Sequence, residues 1–339
     1  MKIAIGYRLQ DGPWGGGNQF AQSLAGALEK RGDTVCFDLA ASDLDIILLT
    51  DPRWRSSSVS FGSGDILRYL IQRNPSALVV HRINECDERK NTRHMNRQLR
   101  WANYVADYTI FIASWLENLN VWLRDTPHDV ILNGADATVF RQERNSPWSG
   151  RDTLRLVTHH WGGNWMKGFD VYVRLDEMLA LPEWRGRIEF TYIGNLPDGF
   201  RFKHAFHLAP LHGETLAQEL ARHHAYITAS VNEPAGMHHI EGALSGLPVL
   251  YRRSGALPQY CRGYGIEFEN DDFLPALQAM LRTYDVLKRA MPSYPHTAER
   301  MCERYLDLFD NLMANRHAIL TARKLWRSPA SLIRNLALM

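Results

Sequence analysis

The feature that most constrains the fold is an alternation of short apolar runs with helical segments, repeated in two series along the chain. The first series contains the runs KIAIGY, TVCFDL, DIILLT, ALVVHRI and YTIFIAS. The second contains LRLVTHHW, IEFTYIGN, HHAYITAS, LPVLYRR and GIEFEN. Continuously apolar strands that alternate with helices are typical of parallel sheets covered on both faces. The sequence therefore predicts two α/β domains, each built on a parallel sheet.

A polar stretch with proline and glycine, RQERNSPWSGRD, separates the two series and is typical of a linker. We therefore predict a Rossmann-like domain at residues 1–145 and a second one at residues 146–305. From about residue 272 onward the pattern is helical, and TAERMCERYLDLFDNLMAN is amphipathic. The remaining segment, 306–339, is predicted to pack back on the N-terminal domain.

The bulk properties exclude several classes of protein. The 339 residues suit two domains of ordinary size. A formal net charge of +2 does not indicate a large basic surface, so we expect no nucleic-acid partner. The four cysteines contain no CxxC spacing, which argues against a zinc site or a disulfide framework: they are Cys36, Cys86, Cys261 and Cys302.

No apolar run approaches the ~20 residues of a membrane span, and the apolar part of MKIAIGYRLQDG is too short for a signal peptide. We therefore expect a cytoplasmic protein, or one peripheral on the inner face of the membrane. The last segment, RHAILTARKLWRSPASLIRNLALM, mixes basic and apolar residues. Two interpretations stay open: a helix packed on the body of the protein, and an amphipathic surface that contacts an anionic membrane.

The stretch VNEPAGMHHIEGALSGLPVL at 231–250 combines two glutamates with proline and glycine after a predicted strand. Pro234 and Gly236 disfavour a helix through Glu233, which we therefore place on a loop. The helix is predicted to begin near Met237 and to carry Glu241 in its early turns. A capping carboxylate and a solvated helix face would also account for the two glutamates alone.

The predicted start of this helix suits a phosphorylated ligand. The first amides of a helix lack backbone acceptors and attract anions, so we expect Gly236, Met237 and His238 to contact phosphate. Carboxylates accept paired hydroxyls well, so Glu233 can hold one polyol and Glu241 a second, such as ribose. A nucleotide-sugar has this layout.

These residues resemble the retaining glycosyltransferase family 4, which has the GT-B fold of two Rossmann-like domains with parallel sheets facing across a cleft. The stretch ITASVNEPAGMHHIEGALSGLPVL is similar to the signature of that family. Further elements that resemble it are VILNGADATVF, MKGFD, TYIGN and LHGETLAQELARHHAYI. The likeness covers most of the chain, strongly in the second half and loosely in the first.

The resemblance implies a role for each candidate residue. Glu233 would contact the donor sugar, Glu241 the nucleotide ribose and Lys167 the diphosphate. His81, in VVHRINECDER, would lie near the reacting sugar and complete the catalytic set, although a structural role for it is equally open. Three residues that follow it are candidates for acceptor contacts: Arg82, Asn84 and Asp87.

The glycine-rich stretch GPWGGGNQF does not fit the G-x-G-x-x-G dinucleotide fingerprint. We assign Gly16 and Gly17 to the donor side of the cleft, and a tight turn required only for packing is the alternative. The family often has an arginine six residues before its lysine, where this chain has Trp161. His159 or His160 is the candidate substitute.

The resemblance implies a hexosyltransferase-like enzyme that moves a sugar from a nucleotide-sugar to a saccharide, lipid-linked or other hydroxyl acceptor with retention of anomeric configuration. Its expected place is glycan or surface polysaccharide biosynthesis. We expect no cofactor and no metal, because no suitable Asp-x-Asp loop or ligand cluster is present.

Other functions stay open on the same fold. A sugar-nucleotide epimerase and a catalytically inactive nucleotide-sugar-binding protein would show the same binding residues. A nicotinamide oxidoreductase would need a clean glycine fingerprint and an acidic residue about twenty positions later, for which Asp38 is a weak candidate.

Overall fold

The computed structural model describes residues 1–10, 12, 15–53 and 56–337. The chain divides into two compact units. The first comprises Met1–Gln10, Gly17–Asn133 and Glu299–Met339. The second comprises Gly134–Ala298 together with Gly12, Gly15 and Gly16. The units therefore change at Asn133–Gly134 and at Ala298–Glu299, whereas the sequence predicts boundaries at 145 and 305.

Each unit is built on a six-stranded parallel sheet, which confirms the predicted fold class. The strands of the first sheet are β1 (Lys2–Ile5), β2 (Thr34–Cys36), β3 (Ile46–Leu49), β4 (Leu78–Ile83), β5 (Tyr108–Phe111) and β6 (His128–Val130). Those of the second are β7 (Leu154–His160), β8 (Ile188–Gly194), β9 (Phe206–Leu208), β10 (Ala225–Thr228), β11 (Val249–Arg252) and β12 (Gly265–Phe268). Their spatial orders are β2-β1-β3-β4-β5-β6 and β12-β11-β10-β7-β8-β9.

Helices connect the strands and close the chain. They are α1 (Gly16–Arg31), α2 (Ser63–Gln72), α3 (Met95–Ala102), α4 (Phe169–Met178), α5 (Gly213–Leu220), α6 (Met237–Leu244), α7 (Leu257–Cys261), α8 (Leu274–Ala290), α9 (Ala298–Ala314), α10 (Arg316–Ala322) and α11 (Pro329–Ala337). Short 3-10 turns lie at Asn103–Val105, Ser114–Asn118, Gln142–Arg144, Trp165–Lys167 and Met291–Ser293.

Both faces of the first sheet are covered, which explains why its strands are continuously apolar. On one face Ile3 packs with Phe20 of α1 and Tyr305 of α9. On the other face Ile47 packs in the same cluster as Leu67 of α2 and Leu332 of α11. The end of the chain is held to this unit by Arg323, whose Nη2 lies 2.5 Å from Oδ2 of Asp107.

The core of the second unit is rich in aromatic side chains. Phe169 and Tyr172 of α4 pack with Phe190 and Tyr192 of β8, and their ring centroids lie 5.2 to 5.8 Å apart. Leu277 of α8 is buried in the same cluster. This packing fixes the ends of β7 and β8, where the candidate site lies.

Among the helices of the described residues, none combines the length and the apolar character that crossing a membrane requires.

Candidate functional site

The candidate site lies at the carboxyl edge of the second sheet, where ligands bind in open α/β sheets. Strand β7 ends there with His159 and His160, and β10 ends at Thr228. The loop that carries Glu233 follows β10, and α6 begins at Met237, as predicted.

The Glu233 loop has a backbone fixed by its own sequence. Asn232 adopts the left-handed region (φ 51°), which asparagine tolerates better than most residues. Its N–H donates to Ser254 Oγ at 2.8 Å, and the carbonyl of Glu233 accepts from Ala256 N at 2.9 Å. The loop is therefore held against the turn that leads into α7.

Glu233 and Lys167 form a buried ion pair. Lys167 Nζ lies 2.6 Å from Glu233 Oε2, and the side chains are only 10% and 3% exposed. The pair is brought together by the backbone, because Val231 N donates to Met166 O at 2.8 Å. Gly168 follows the lysine with φ +98°, and a Cβ there would lie 2.4 Å from that of Ala229. This close approach explains physically why glycine follows the lysine.

The start of α6 also depends on a glycine. A Cβ on Gly236 would lie 2.5 Å from His238 Nδ1 and 3.1 Å from Glu233 Cδ. Gly236 is the N-cap and offers no capping side chain to the first turn. The helix therefore presents its N-terminal end, with its partial positive charge, beside the Glu233 loop.

Several imidazoles line this end of the sheet in their neutral form. The ring centroid of His238 lies 4.4 Å from that of His160 and 4.9 Å from that of His239, and His238 Nε2 is 2.9 Å from Thr228 Oγ1. Burial lowers the pKa of His160 and of His238 well below the ordinary value, and nearby Lys167 acts in the same direction. Burial lowers the pKa of His239 to about 3.

Glu241 is paired with a histidine from the neighbouring strand end. Glu241 Oε2 lies 2.7 Å from His159 Nε2, and both residues are buried. His159 Nδ1 in turn lies 3.1 Å from the hydroxyl of Tyr226. Adjacent histidines at the end of an apolar strand were the only sequence signal for this contact, and the sequence did not reveal the partner.

A cavity of about 580 Å³ opens beside the end of β8. Gly194, which ends β8, is paired in register with His160, so the cavity begins one strand away from the histidines. Its walls combine aromatic, basic and small residues: Gly194, Asn195, Leu196, Phe200, Arg201, Phe202, His207, Ala209 and Pro210.

No family model matches the sequence. A search of curated proteins also found no match. Solved structures, in contrast, match over most of the chain. HepE from Anabaena, in complex with UDP, superposes with a TM-score of 0.66 at 13% identity, over 92% of this chain and 100% of that chain. Sucrose-phosphate synthase from Thermosynechococcus elongatus gives 0.64 at 13%, over 92% and 99%. WaaG, a glycosyltransferase involved in lipopolysaccharide biosynthesis, gives 0.59 at 13%, over 91% and 99%.

The chain has the GT-B fold. At such low identity the likeness shows the fold alone, because one fold supports many functions. The structure brings together Lys167, Glu233 and the start of α6, which the sequence analysis assigns to the donor side. The next turn of α6 adds Glu241.

Gly16 and Gly17, which the sequence analysis assigns to the donor side, are the first two residues of α1. Gly16 belongs to the second unit, and a Cβ there would lie 2.4 Å from Cγ of Met237 in the same unit. Gly17 belongs to the first unit, where a Cβ would lie 3.1 Å from Cε2 of Tyr7. Part of the glycine-rich stretch lies outside the described residues, namely Pro13 and Trp14.

His81 lies inside β4 rather than at its end, and it is fully buried. Its Nδ1 is 3.1 Å from Asn103 Nδ2, which also donates to Thr109 Oγ1. Burial lowers the pKa of His81 to about 3. Because His81 lies inside β4 and bonds Asn103, the function proposed below does not use it.

Two of the acceptor candidates after His81, Arg82 and Asp87, make structural contacts. Arg82 is buried, with its guanidinium 3.7 Å from the ring centroid of Phe20 and Nη2 2.8 Å from Asn133 Oδ1. Asp87 accepts from the backbone N–H groups of Met95 and Asn96 at 2.8 and 3.0 Å and thereby holds the start of α3.

Trp161 stands directly after β7 and is about half exposed. Its carbonyl accepts from Asn195 Nδ2 at 2.7 Å. Within the described part of the chain, no three His, Cys, Asp or Glu side chains converge in a way that could hold a metal ion. The expectation that the reaction needs no metal stays a prediction.

Proposed function

We propose that this protein is a glycosyltransferase that moves a sugar from a nucleotide-sugar donor to an acceptor hydroxyl. One observation carries the proposal: a lysine, two glutamates and the start of a helix meet at the carboxyl edge of one sheet. The shared fold with HepE, whose structure contains UDP-glucose, supports a nucleotide-sugar donor.

In this proposal the diphosphate binds between Lys167 and the first turn of α6. Both carry positive charge toward the phosphates and stabilise the leaving nucleoside diphosphate as the sugar departs. An ionised carboxylate has about four lone-pair sites. Glu233 can therefore accept from Lys167 and still accept from hydroxyls of the donor sugar.

The cavity beside β8 is the proposed place of the nucleobase. Its volume of about 580 Å³ lies within the usual range for a ligand pocket. Phe200 and Phe202 supply aromatic surface of the kind on which a base can stack. The ribose would then lie between the base and the diphosphate, within reach of Glu241.

The finer features of the reaction are proposed on the sequence resemblance. They are retention of the anomeric configuration, a hexose as the transferred sugar, and independence from metal. The similarity in fold to WaaG supports a product in glycan or surface polysaccharide biosynthesis. Anomeric proton couplings in the NMR spectrum of the product test retention, and assays with and without EDTA test the need for metal.

A ligand screen followed by a turnover assay tests the proposal. A nucleoside diphosphate at 100 times its Kd should stabilise the protein by about 2.7 kcal/mol, which raises its Tm. The nucleotide-sugar with the same base should then label a hydroxyl acceptor. The proposal is wrong if no nucleoside diphosphate raises Tm and no nucleotide-sugar turns over. An altered donor sugar without an acceptor would indicate an epimerase, and binding without turnover an inactive binding protein.

We also propose that the C-terminal segment contacts an anionic membrane surface. Residues 311–339 contain no Asp or Glu. Trp326, Ile333 and Leu336 are 71%, 67% and 37% exposed. Lys324, Arg327 and Arg334 are exposed beside them. Apolar side chains mixed with cations are typical of helices that lie in the interface of anionic bilayers.

Vesicle flotation tests this surface. The protein should float with vesicles that contain phosphatidylglycerol and remain behind with neutral phosphatidylcholine vesicles. The double variant Trp326→Ser and Ile333→Ser should lose most of the binding. Phe206→Ser, which removes another exposed aromatic from the second unit, is the matched control and should bind normally. Equal flotation with both kinds of vesicle, or none with either, would contradict the proposal.

A further inference from the structure

The contact between His159 and Glu241 joins two residues that are 82 positions apart in the sequence. His159 Nε2 and Glu241 Oε2 are 2.7 Å apart, and both side chains are less than a tenth exposed. An ionised carboxylate only accepts hydrogen bonds, so Nε2 of His159 is the donor. The other ring nitrogen of His159, Nδ1, lies beside the hydroxyl of Tyr226.

Tyr226 holds both members of this pair in place. Its hydroxyl lies 3.1 Å from His159 Nδ1 and 3.3 Å from the carbonyl oxygen of His159, so its single proton can be donated to either of these two atoms. The same hydroxyl accepts from the backbone N–H of His159 at 2.9 Å. On the helix side, a Cβ on Gly242 would lie 2.4 Å from Cδ2 of the tyrosine ring. The tyrosine therefore sets the position of β7 and of α6 at once.

We propose that His159 is a positioning residue for the donor nucleotide. It holds the Glu241 carboxylate in the orientation that accepts the two ribose hydroxyls, and it thereby makes the site selective for ribonucleotides over 2′-deoxyribonucleotides. The inference rests on the proposed function, because it assumes a nucleotide in this site.

The chemistry of the carboxylate supports this assignment. The bond from His159 uses one of about four lone-pair sites, so capacity for two hydroxyls remains. The terminal torsion of a glutamate side chain is broad, so the 2.7 Å bond from His159 narrows the range of orientations that the carboxylate plane can take. A site that is built to hydrogen-bond a substrate hydroxyl discriminates strongly against the analogue that lacks it.

Calorimetric binding of UDP, ADP and GDP, each beside its 2′-deoxy form, tests the inference. The native protein should bind one ribonucleotide at least about tenfold more tightly than its deoxy form. His159→Phe should lower this ratio below about threefold and leave the affinity for the deoxy form within twofold. His159→Gln retains a donor near the position of Nε2 and should restore the ratio.

A matched control is His223→Phe, since His223 is a buried histidine of the same unit whose Nε2 bonds Thr191 Oγ1 at 2.9 Å before β10 begins. That variant should keep the ribose preference of the native protein. If His159→Phe does not fold, Tyr226→Phe replaces it in the test. Loss of the tyrosine hydroxyl should lower the ratio of ribonucleotide to deoxynucleotide affinity about threefold.

Three outcomes would overturn the inference. An undiminished ribose preference in His159→Phe, or in Tyr226→Phe where that variant has to decide, would show that His159 only packs. Equal binding of ribonucleotides and deoxynucleotides by the native protein would remove the selectivity and leave the proposed function standing. Absence of any nucleoside diphosphate binding would overturn the proposed function and this inference together.

Discussion

At the scale of single residues, the Lys167–Glu233 pair sets the charge of the proposed donor site. The ammonium and carboxylate groups lie 2.6 Å apart, and the imidazoles around them are neutral because burial lowers their pKa. In the proposed function, an entering diphosphate would compete with Glu233 for the lysine. Binding of the leaving group and orientation of the Glu233 carboxylate toward the sugar would then be coupled through Lys167.

Glu233→Gln is expected to lower the rate of sugar transfer at least about tenfold, equivalent to 1.4 kcal/mol in barrier. The amide keeps the size of the side chain but loses the negative charge that Lys167 and the sugar hydroxyls share. Initial rates at saturating donor measure the effect. Glu214→Gln, which alters an exposed pair with Arg144, should leave the rate unchanged. Equal rates in Glu233→Gln and native protein would refute the assigned role.

Some contacts among these residues could be predicted from the sequence and others could not. Glu233 and Lys167 lie in short motifs whose glycines allow a close approach of the backbone, so their proximity could be inferred from local sequence. His159 and Glu241 meet only through the order of strands in the sheet, which the sequence does not specify. The resemblance implies a place for His81 near the reacting sugar, but the register of β4 with β3 and β5 places it inside the sheet.

At the scale of elements, the start of α6 depends on a position where a Cβ would crowd the side chains of His238 and Glu233. Gly236→Ala would place a methyl group 2.5 Å from His238 Nδ1 and 3.1 Å from Glu233 Cδ, so one of these side chains must move. We expect nucleoside diphosphate affinity to fall at least about tenfold, a cost near 1.4 kcal/mol. Calorimetry measures this change directly.

Gly26→Ala provides the matched control for that prediction. Gly26 lies on the exposed face of α1, away from both ends of the helix, and a Cβ there would meet no atom within 4 Å. Alanine should therefore stabilise the protein by about 0.5–1 kcal/mol without changing the affinity. An affinity loss in Gly26→Ala equal to that in Gly236→Ala would mean that the effect is not specific to α6.

The parallel strands were predictable because a strand buried on both faces has an apolar side chain at nearly every position. The boundaries between units were not, because the linker composition at 141–152 lies inside the second unit. Polar loops and true boundaries have similar compositions, and only the packing distinguishes them.

At the scale of the whole molecule, buried histidines make stability depend on pH. Burial lowers the pKa of His160, His238, His223 and His239, to about 4 for His223 and about 3 for His239. In the unfolded chain each has a pKa near 6.5, so the unfolded state binds more protons below that pH. Stability should fall as pH decreases from about 6.5 toward 4, by up to about 1.4 kcal/mol per pH unit for each histidine.

Chemical denaturation at several pH values measures this slope, and His239→Phe tests its origin. Neither ring nitrogen of His239 has a hydrogen-bond partner among the described residues, so phenylalanine removes a titrating group and no hydrogen bond. The variant and the native protein can differ in stability at pH 7 because of packing. Below pH 6.5, the free energy of unfolding of the variant should rise relative to that of the native protein by about 1.4 kcal/mol per pH unit. Parallel curves for the two proteins would exclude His239 as a source of the dependence.

The segment 134–298 of the second unit begins and ends at adjacent positions. Ala135 and Thr297 form a parallel bridge, Ala298 N donates to Ala135 O at 2.8 Å, and a Cβ on Gly134 would lie 2.0 Å from the carbonyl oxygen of Thr297. The long segment that holds the proposed donor residues therefore enters and leaves at the same point. An exchange of residues 134–298 with those of another GT-B protein would therefore need only two adjacent junctions, and Gly16, which belongs to the same unit, would have to be matched to Met237 of the new segment.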